Sequence, residues 1–354
     1  MDARREFLAK SGTTFATLSL ARNSGAAAKD GIKCAPDVVV YDGAYPGWPW
    51  IAAGSDGVLY CVFREGTVHG YSATGRALLT ESRDQGKTWS AASTIIDYPF
   101  VDDRNVAIVQ LANGDLLVSY NMYTSDARCE AMAIRSRDKG KTWLAPRSLG
   151  MTDSRTRAAA VPLVSGAVLL PFYSANREGA IAARSVDNGV TWTHAFVPNS
   201  DGFVGDEWSV LEAAPKRLVG ISRNHHPEPD AYFYVTESQD DGRTWSPGRK
   251  TNVHTVIPCP AQITSHNGAP TLIYADHRMV SVAAVTTKDP SFVEWDVEHR
   301  LRCYQYTEDG AGIPDTSYPC SVPIGPTKRL IVDYEIRPDS KRIAGYFVEF
   351  PADW

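Results

Sequence analysis

Arginines, carboxylates and one tyrosine occur at intervals along the chain, in short segments that each precede an alternating or apolar run. These residues are Asp103 and Arg104, Arg155 and Arg157, Asp206 and Glu207, and Tyr318. A planar guanidinium binds a carboxylate through two parallel hydrogen bonds, and a carboxylate beside a phenol can take its proton. If the fold brings these segments together, they predict a pocket for an acidic sugar.

A repeated eight-residue motif indicates which elements must position those residues. The motif S-x-D-x-G-x-T-W occurs as SRDQGKTW (82–89), SRDKGKTW (136–143), SVDNGVTW (185–192) and SQDDGRTW (238–245). The aspartates of successive copies are separated by 54, 49 and 53 residues, and a decayed fifth copy is TTKDPSFVEW (286–295). A period of about 50 residues indicates an array of equivalent structural units.

The sequence between two copies of the motif has the same organisation each time. In one interval the run NVAIVQL (105–111) is followed by the turn ANGD (112–115) and the run LLVSYNMY (116–123), and CEAMAIRS (129–136) leads into the next motif. Short runs separated by turn residues predict a meander of about four strands, which is the unit of a β-propeller blade. Sustained helical periodicity is absent after the first thirty residues.

The motif itself has the composition of a tight turn. Its Ser and Asp oxygens can accept hydrogen bonds from nearby backbone N–H groups, and its Gly tolerates a positive φ. Its Trp can fold back over the hairpin and pack against it. The motif is therefore predicted to belong to the framework and not to the chemistry.

These turns are Asp-boxes, and from about residue 36 to residue 354 the chain resembles the sialidase (neuraminidase) superfamily of BNR-repeat proteins. The resemblance implies a single all-β domain, a six-bladed β-propeller of four-stranded antiparallel blades with Asp-box turns. Five motif copies account for five blades. The sixth would combine RLIVDYEI (329–336) and RIAGYFVEF (342–350) with the early strand DVVVYD (37–42), which would close the ring.

The resemblance also implies a retaining exo-glycosidase, of the exo-α-sialidase type, that acts on a terminal acidic sugar. In the family, three arginines bind the substrate carboxylate, a tyrosine paired with a glutamate is the nucleophile, and an aspartic acid exchanges the proton. The segments DEWSVLEAAPKRLVGISRN, LIYADHRMVSVAAV and DTSYPCSVPI carry the matching residues. These are Tyr318 as nucleophile, Glu207 as its base, and Arg223 and Arg278 as carboxylate ligands.

The first blade departs from the family pattern. The family has F-R-I-P where this chain has PGWP, so that Gly47 stands in the place of the first arginine. Arg64 or Arg104 is predicted to replace it. The further predicted contacts with substrate are Arg157 and Asp103, with Trp50 and other aromatic residues (Trp48, Tyr71, Tyr123 and Trp208) available to stack on sugar rings.

The expected acid–base aspartate is also missing. The segment FREGTVHGYSATGR (63–76), where it should lie, contains no aspartate but offers Glu65 and His69. Either side chain is predicted to exchange the proton, because His titrates near neutral pH and burial can raise a Glu toward it.

Two other functions remain open for the same pocket. One is a different glycosidase, or a lyase on uronic-acid glycans that uses His69 or Glu65 with Tyr318. The other is a propeller that binds glycans without catalysis. No cofactor is predicted, and the adjacent His225 and His226 do not predict a metal site, because neighbouring strand residues point to opposite faces.

The overall composition is that of a soluble globular protein, with 354 residues and a formal net charge of -5. It carries no basic footprint, so nucleic acid is not expected as a partner, and an oligomeric state is not indicated. The six cysteines form no C-x-x-C motif, and most are expected to be buried thiols, with one or two disulfides possible after export.

The first thirty residues predict export. ARREFLAKSG (3–12) resembles a twin-arginine signal, and the weakly apolar run TTFATLSLA (13–21) precedes the small-residue stretch GAAA (25–28). Residues 1–30 are therefore expected to be a signal peptide, and the mature protein to be periplasmic or extracellular. No run reaches the roughly twenty apolar residues that a membrane-spanning helix needs.

Overall fold

Strands make up nearly all of the regular structure in the computed structural model, which describes residues 32–174, 179–224 and 230–354. The predicted signal segment, and His225 and His226, lie outside the described residues. One 3-10 helix, Val297–His299, interrupts the strands. Across these three ranges no helix is long and apolar enough to cross a membrane. The described chain is all-β, as the sequence predicts.

The strands are numbered in chain order. The first fourteen are β1 (Val38–Asp42), β2 (Pro46–Ala53), β3 (Leu59–Glu65), β4 (Arg76–Ser82), β5 (Ser93–Ile96), β6 (Asp102–Gln110), β7 (Leu116–Ser125), β8 (Arg128–Ser136), β9 (Arg147–Thr152), β10 (Ser154–Thr156), β11 (Val161–Pro162), β12 (Val168–Ser174), β13 (Ala180–Ser185) and β14 (Thr193–Phe196). The others are β15 (Gly205–Ala214), β16 (Arg217–Asn224), β17 (Asp230–Ser238), β18 (Arg249–Val256), β19 (Gln262–His266), β20 (Ala269–His277), β21 (Ser281–Thr286), β22 (Leu301–Gln305), β23 (Asp315–Thr316), β24 (Cys320–Pro323), β25 (Lys328–Ile336) and β26 (Lys341–Glu349).

The strands pair as antiparallel meanders that follow the chain. The orders are β2-β3-β4-β5, β6-β7-β8-β9 and β10-β12-β13-β14, with β11 beside β12. The strands β15 to β18 and β19 to β22 form two further meanders, which one parallel pairing between Val256 and His277 joins into a single sheet. The last sheet has the order β1-β26-β25-β23, with β24 beside β25.

The two ends of the described chain meet in this last sheet. β1 pairs antiparallel with β26, so that Val38 lies opposite Gly345 and Asp42 lies opposite Arg342. The pairing that the sequence predicts between the early strand and the C-terminal strand is therefore present.

The core lies between successive sheets, and this explains the continuous apolar runs. Every residue of β3 and of β12 is buried, because each strand has packed side chains on both of its faces. One hydrophobic cluster joins Val62 of the first meander to Ile108 and Val118 of the second. Such strands cannot show the alternation of a half-buried sheet, which is why their sequences read as unbroken apolar runs.

The Asp-boxes are hairpins between the last two strands of their meanders. In the first box, Ser82 Oγ accepts a hydrogen bond from the Gly86 N–H at 2.8 Å and donates to Asp84 Oδ1 at 2.8 Å. Asp84 in turn accepts from the Thr88 N–H at 2.9 Å and from Thr88 Oγ1 at 2.6 Å. Hydrogen bonds from the Thr88 side chain and N–H lower the pKa of Asp84 to about 2. The predicted turn chemistry is confirmed.

The fifth copy keeps the aspartate but not the glycine. Asp289 accepts hydrogen bonds from the N–H groups of Ser291, Val293 and Glu294 at 2.9, 3.0 and 2.9 Å. Phe292 takes the left-handed backbone conformation (φ 58°) that glycine takes in the other copies. The decayed copy is therefore a genuine Asp-box turn.

Each box glycine faces a leucine of the preceding sheet. A Cβ on Gly140 would lie 2.9 Å from a methyl carbon of Leu79, and one on Gly189 would lie 3.2 Å from Leu117. A Cβ on Gly86, in the first meander, would overlap Leu330 of the last sheet. Neighbouring sheets therefore pack through their Asp-boxes, and the first sheet packs against the last.

Six free thiols are present among the described residues, and all of them except Cys34 are buried. They are Cys34, Cys61, Cys129, Cys259, Cys303 and Cys320. Burial raises the pKa of Cys259 to about 11, so this thiol stays protonated and behaves as a small apolar side chain. The expectation of buried, unpaired thiols is confirmed for five of the six.

Candidate functional site

Trp48 is the centre around which the predicted residues gather. Its ring centroid lies 4.1 Å from the Arg104 guanidinium carbon, 5.1 Å from the His69 ring and 6.4 Å from the Tyr318 ring. The side chain is 1% exposed and its backbone has a φ of 50°, an uncommon conformation for a non-glycine residue. Residues that are far apart in sequence thus meet on one buried ring.

Tyr318 and Glu207 form the pair that the sequence predicts. The Tyr318 hydroxyl donates to Glu207 Oε2 at 3.1 Å, and Arg223 Nη1 lies 3.0 Å from the same oxygen. Arg223 Nη2 donates to Asp206 Oδ2 at 2.8 Å. The β15–β16 hairpin explains this meeting, because its register places Gly205 opposite Asn224 and so brings the strand start beside Arg223.

The Tyr318 backbone is fixed from two directions. Its N–H donates to Asp333 Oδ1 at 2.8 Å, and its carbonyl accepts from Arg157 Nη2 at 3.0 Å. Burial raises the pKa of Asp333 to about 6, although hydrogen bonds from Tyr306, Tyr304 and the backbone oppose this shift. The Arg157 guanidinium carbon lies 4.9 Å from the centre of the Tyr318 ring.

The Tyr318 phenol is held in its neutral form. Burial is the largest cause that raises the pKa of Tyr318, and the negative charge of Glu207 raises it further, while Arg223 and Arg278 lower it. The phenol therefore cannot ionise alone near neutral pH. It needs a base in direct contact, and Glu207 occupies that position.

Asp315, which sequence reasoning missed, connects His69 to Arg278. Its Oδ2 lies 2.6 Å from His69 Nδ1 and accepts the Tyr45 hydroxyl at 2.6 Å. Its Oδ1 accepts the Tyr334 hydroxyl at 2.9 Å and lies 3.5 Å from Arg278 Nη2. Burial raises the pKa of Asp315, but hydrogen bonds from His69 and Tyr45 outweigh it and keep this pKa below its ordinary value. The available signal was its position three residues before Tyr318.

The other candidates from the 63–76 segment, Glu65 and Arg64, form ion pairs with other side chains. Glu65 lies 2.7 Å from Arg76 Nη2 and accepts the Tyr41 hydroxyl at 2.7 Å. Burial raises the pKa of Glu65, yet the hydrogen bonds from Arg76 and Tyr41 lower it below its usual range. Arg64 is fully buried and donates to both oxygens of Asp102 at 2.8 Å. These positions do not favour the predicted proton donor at Glu65 or the substrate contact at Arg64.

Two further predicted contacts, Asp103 and Arg157, are buried. Asp103 is fully buried and accepts the Tyr98 N–H at 2.9 Å, and burial raises the pKa of its carboxyl to about 7. Arg157 is 3% exposed and lies under the Tyr318 ring, with its guanidinium carbon 5.2 Å from the centre of the Trp50 ring. These places favour support of the site and not direct contact with a ligand.

Three of the predicted sugar-stacking residues, Trp48, Tyr123 and Trp208, are buried instead. Trp48 and Trp208 are each 1% exposed, and the indole N–H of Trp208 donates to the Phe172 carbonyl at 2.8 Å. Trp208 also packs against the Asp-box residue Trp245, with a ring separation of 5.1 Å. Its place is in the packing between two sheets, where no sugar can reach it.

The site contains arginine nitrogens that have no partner. Within the described residues, the buried Nε atoms of Arg104, Arg223 and Arg278 make no hydrogen bond. A buried N–H without an acceptor costs free energy, so an anionic ligand that supplies acceptors would be favoured. In the same part of the chain, no three His, Cys, Asp or Glu side chains are grouped as a metal site requires.

The described chain has Asp-box hairpins on consecutive meanders, together with a tyrosine–glutamate pair and arginines at the strand starts. These features together indicate one class of all-β protein. A family model described as "BNR repeat-like domain" matches residues 103–322, which is more than half of the chain. The chain therefore belongs to the family of proteins with a BNR repeat-like domain.

Several solved structures resemble this fold. A protein of unknown function from Dyadobacter fermentans DSM 18053 is 20% identical, with a TM-score of 0.75 over 91% of this chain and 100% of its own. The NanB sialidase from Streptococcus pneumoniae is 10% identical, with a TM-score of 0.70 over 89% of this chain and 70% of its own.

A sialidase from Trypanosoma rangeli, in complex with 2,3-difluorosialic acid as a covalent intermediate, is 15% identical. Its TM-score is 0.64, and the match covers 90% of this chain and 57% of that one. No curated protein sequence matches the chain. At identities this low, the structural likeness concerns the fold alone.

Proposed function

We propose that residues 36–354 fold as a single six-bladed β-propeller. The contact of each box glycine with a leucine of the preceding sheet supports this, because it arranges the sheets in chain order. The contact between Gly86 and Leu330 and the pairing of β1 with β26 support closure of the ring. A closed ring leaves no open side for further sheets to join.

We further propose that the protein is a retaining exo-glycosidase of the sialidase type that acts on a terminal acidic sugar. The observation that carries this proposal is the contact of 3.1 Å between the Tyr318 hydroxyl and Glu207 Oε2. A carboxylate nucleophile would be repelled by an acidic group next to the reacting carbon, whereas a neutral phenol is not. Glu207 takes the phenol proton as the bond to the anomeric carbon forms.

Arg223 and Arg278 are the proposed ligands of the substrate carboxylate. Both guanidinium groups act on the Tyr318 phenol, since each lowers its pKa, and the buried Nε of each has no acceptor among the described residues. Their carboxylate partners, Asp206 with Glu207 and Asp315, hold them in place from behind. A substrate carboxylate would complete their hydrogen bonding.

His69 is the proposed proton donor in place of the missing aspartate. Asp315 holds its Nδ1, which leaves Nε2 to give a proton to the departing glycosidic oxygen as Tyr318 attacks. In the second step Nε2 accepts a proton from the water that attacks the anomeric carbon. As this new bond forms, the bond from the anomeric carbon to the Tyr318 oxygen breaks and Tyr318 recovers its proton from Glu207, so each group returns to its starting state.

One observation favours a lyase as the second candidate. His69, which contacts Asp315, packs against the same Trp48 ring as Tyr318, and residues 63–76 contain no aspartate. In a uronic-acid chain, His69 would remove the proton next to the carboxylate while arginines stabilise the negative charge. Tyr318 would protonate the leaving oxygen, and the product would carry a new carbon–carbon double bond.

The experiment compares a fluorogenic sialoside with uronic-acid polysaccharides. We expect wild type to release the terminal sugar with retained configuration. Tyr318→Phe should lose this activity while its near-ultraviolet circular dichroism spectrum stays that of a folded protein. An unsaturated product would support the lyase instead. Saccharide binding with no turnover of either substrate would make the protein a binding propeller.

The proton donor is tested by the leaving group. His69→Gln is expected to slow a substrate with an alkyl alcohol leaving group by about 10²–10⁴-fold, and a nitrophenyl substrate much less, because nitrophenolate needs no proton to leave. Glu65→Gln is the matched control and should affect both substrates equally. Equal losses on the two substrates in His69→Gln would remove His69 from this role.

We also propose that residues 1–30 direct export by the twin-arginine route, on the sequence pattern alone. Fused to a reporter, this segment should carry it across the cytoplasmic membrane. Replacement of Arg4 and Arg5 by lysine should retain the reporter in the cytoplasm. Export that is indifferent to both substitutions would contradict the proposal.

A further inference from the structure

Among the described residues, two arginines of the site have no acidic partner of their own. Arg155 Nε donates to the Cys129 thiol sulfur at 3.2 Å, and no described carboxylate lies within 4.0 Å of its guanidinium. Arg104 approaches Asp102 only at 3.7 Å, and Asp102 already binds Arg64 through both oxygens. Within the part of the chain that the structure describes, two positive charges are therefore left without a matching negative charge.

The two guanidinium groups share one aromatic ring. Their carbon atoms lie 5.0 Å (Arg104) and 5.2 Å (Arg155) from the centre of the Tyr123 ring. Tyr123 is 7% exposed, so its ring is a fixed support and not a mobile contact. Cation–π contact and burial hold both arginines in position before any ligand arrives, which lowers the cost of binding one.

This arginine pair belongs to the same space as the reaction centre. Arg104 lies over Trp48, whose ring also packs against Tyr318. Burial raises the pKa of Tyr123 to about 12, while the positive charges of Arg155 and Arg104 lower it and the negative charge of Glu207 raises it. Both arginines and Glu207 therefore act on one phenol.

The site holds more arginines than the pair proposed for the substrate carboxylate. Arg223 and Arg278 are that pair, and both act on the Tyr318 phenol. The sequence-based expectation placed Arg104 on the same carboxylate, but its position beside Arg155 on the Tyr123 ring favours a different anion.

We propose that Arg104 and Arg155 bind a second anionic group of the substrate, a carboxylate or a sulfate ester. The substrate would then be an acidic glycan with at least two negative groups, one at Arg223 and Arg278 and one at this arginine pair. The inference rests on the proposed function for the reaction, but the second anion site stands or fails by itself.

The direct probe is inorganic selenate, an anomalously scattering analogue of sulfate, diffused into crystals of the protein. Two peaks are expected, one at Arg223 and Arg278 and a second at Arg104 and Arg155. Arg155→Gln should remove only the second peak. The control Arg147→Gln, an exposed arginine on the adjacent strand β9, should keep both. A wild type with no second peak, or a second peak that survives Arg155→Gln, would overturn the proposal.

A binding measurement in Tyr318→Phe gives the second readout. Titration calorimetry of sulfate binding should show two sites in Tyr318→Phe. It should show one site in the double variant that also carries Arg155→Gln. Digalacturonate and a sulfated uronate disaccharide then identify the second anion, and Arg155→Gln should weaken the better of the two by about tenfold or more. Equal binding with and without Arg155→Gln would overturn the proposal.

The two proposals fail in different ways. Two selenate sites without any glycoside turnover would leave the anion pair in place and remove the glycosidase. Turnover of a sialoside by a protein with one selenate site would support the glycosidase and remove the second anion site. Arg155→Gln should raise the KM of a doubly anionic substrate more than that of a substrate with a single carboxylate, whereas the control Arg147→Gln should change neither, which separates a binding role from a general loss of structure.

Discussion

The Asp-box turns and the cluster around Trp48 are both rich in polar side chains, but their hydrogen bonds differ in range. In a box, Ser82, Asp84 and Thr88 satisfy one another across two to four residues. In the cluster, Tyr318 reaches Glu207 across 111 residues and His69 reaches Asp315 across 246. A motif whose hydrogen bonds are made between near neighbours in sequence can repeat along the chain. A functional cluster needs hydrogen-bond partners that only the fold brings together.

The two regions also differ in what remains unsatisfied. The first box has a partner for each of its Ser82, Asp84 and Thr88 side-chain oxygens. Among the residues that the structure describes, the cluster leaves buried Nε atoms of Arg104, Arg223 and Arg278 without an acceptor. Natural structures leave few such atoms, and each one calls for an explanation such as a bound ligand. Among the described residues the indole nitrogens of Trp143 and Trp192, in the second and third boxes, also lack a partner, so the cluster is set apart by the charge of its unpaired donors.

Glu207→Gln should show the largest effect and should change activity more than stability. The amide cannot accept the phenol proton, so kcat should fall by about 10²–10⁴-fold. Arg223 keeps its pairing with Asp206, so the thermal unfolding midpoint should move little. Initial rates and calorimetry measure the two quantities.

Glu212→Gln, on the same strand β15, is the matched control. Its amide oxygen can keep the hydrogen bond that Glu212 accepts from the Val164 N–H, so both activity and stability should stay close to wild type. If Glu207→Gln keeps more than a tenth of the wild-type rate, Glu207 is a structural residue like those of the boxes.

Asp103→Asn should stabilise the protein increasingly as pH rises. Burial raises the pKa of Asp103 to about 7, so the unfolded chain loses this proton from about pH 4 upward while the folded protein keeps it. Wild-type stability therefore falls between pH 4 and 7, by about 2–4 kcal/mol from this group, and Asn removes that loss.

Urea unfolding of wild type and Asp103→Asn at pH 4.5 and pH 7.5 measures the difference. The variant should be the more stable protein at the higher pH and should lose most of that advantage at the lower one. The same advantage at both values would mean that Asp103 does not titrate in this range.

Gly86→Ala should destabilise the protein more than Gly114→Ala. Both residues have a left-handed backbone (φ 87° and 89°), so each alanine costs about 1 kcal/mol of strain. The added methyl on Gly86 also overlaps Leu330, whereas nothing lies within 4 Å of one on Gly114. The overlap should lower the free energy of unfolding by about a further 1–3 kcal/mol.

Denaturant titration of the two glycine variants measures this excess. Because the box lies apart from the cluster, the activity of each folded variant should equal that of wild type. Equal losses of stability would mean that the contact between the first and last sheets contributes nothing, and the proposed ring closure would lose its main support.

Asp84→Asn should give the smallest effect, with the opposite pH dependence to Asp103→Asn. Hydrogen bonds from Thr88 lower the pKa of Asp84 to about 2, so its ionised form stabilises the protein above pH 4. That contribution disappears as pH falls toward 2. The variant should therefore be less stable than wild type at pH 7 and equal to it near pH 2, as unfolding curves at both values would show.

Much of the framework and part of the site follow from local patterns. The boxes were predictable because Ser, Asp, Gly and Thr bond within five residues, and the turn needs no distant partner. Glu207 and Arg223 were predictable because one hairpin joins them. The sequence could not show whether His69 or Glu65 is the proton donor, because the answer depends on distant partners. His69 contacts Asp315, which lies beside Arg278, whereas Glu65 is paired with Arg76.

The sequence by itself determined the all-β class, the box turns and the residue types available for chemistry, because these depend on neighbours along the chain. Only the tertiary structure decided which charges are matched. It paired Arg64 with Asp102, buried Asp103 against a backbone N–H, and left Arg155 beside a thiol. The physical reason is that the energy of a charge depends on burial and on distant partners, and neither quantity is encoded in spacing.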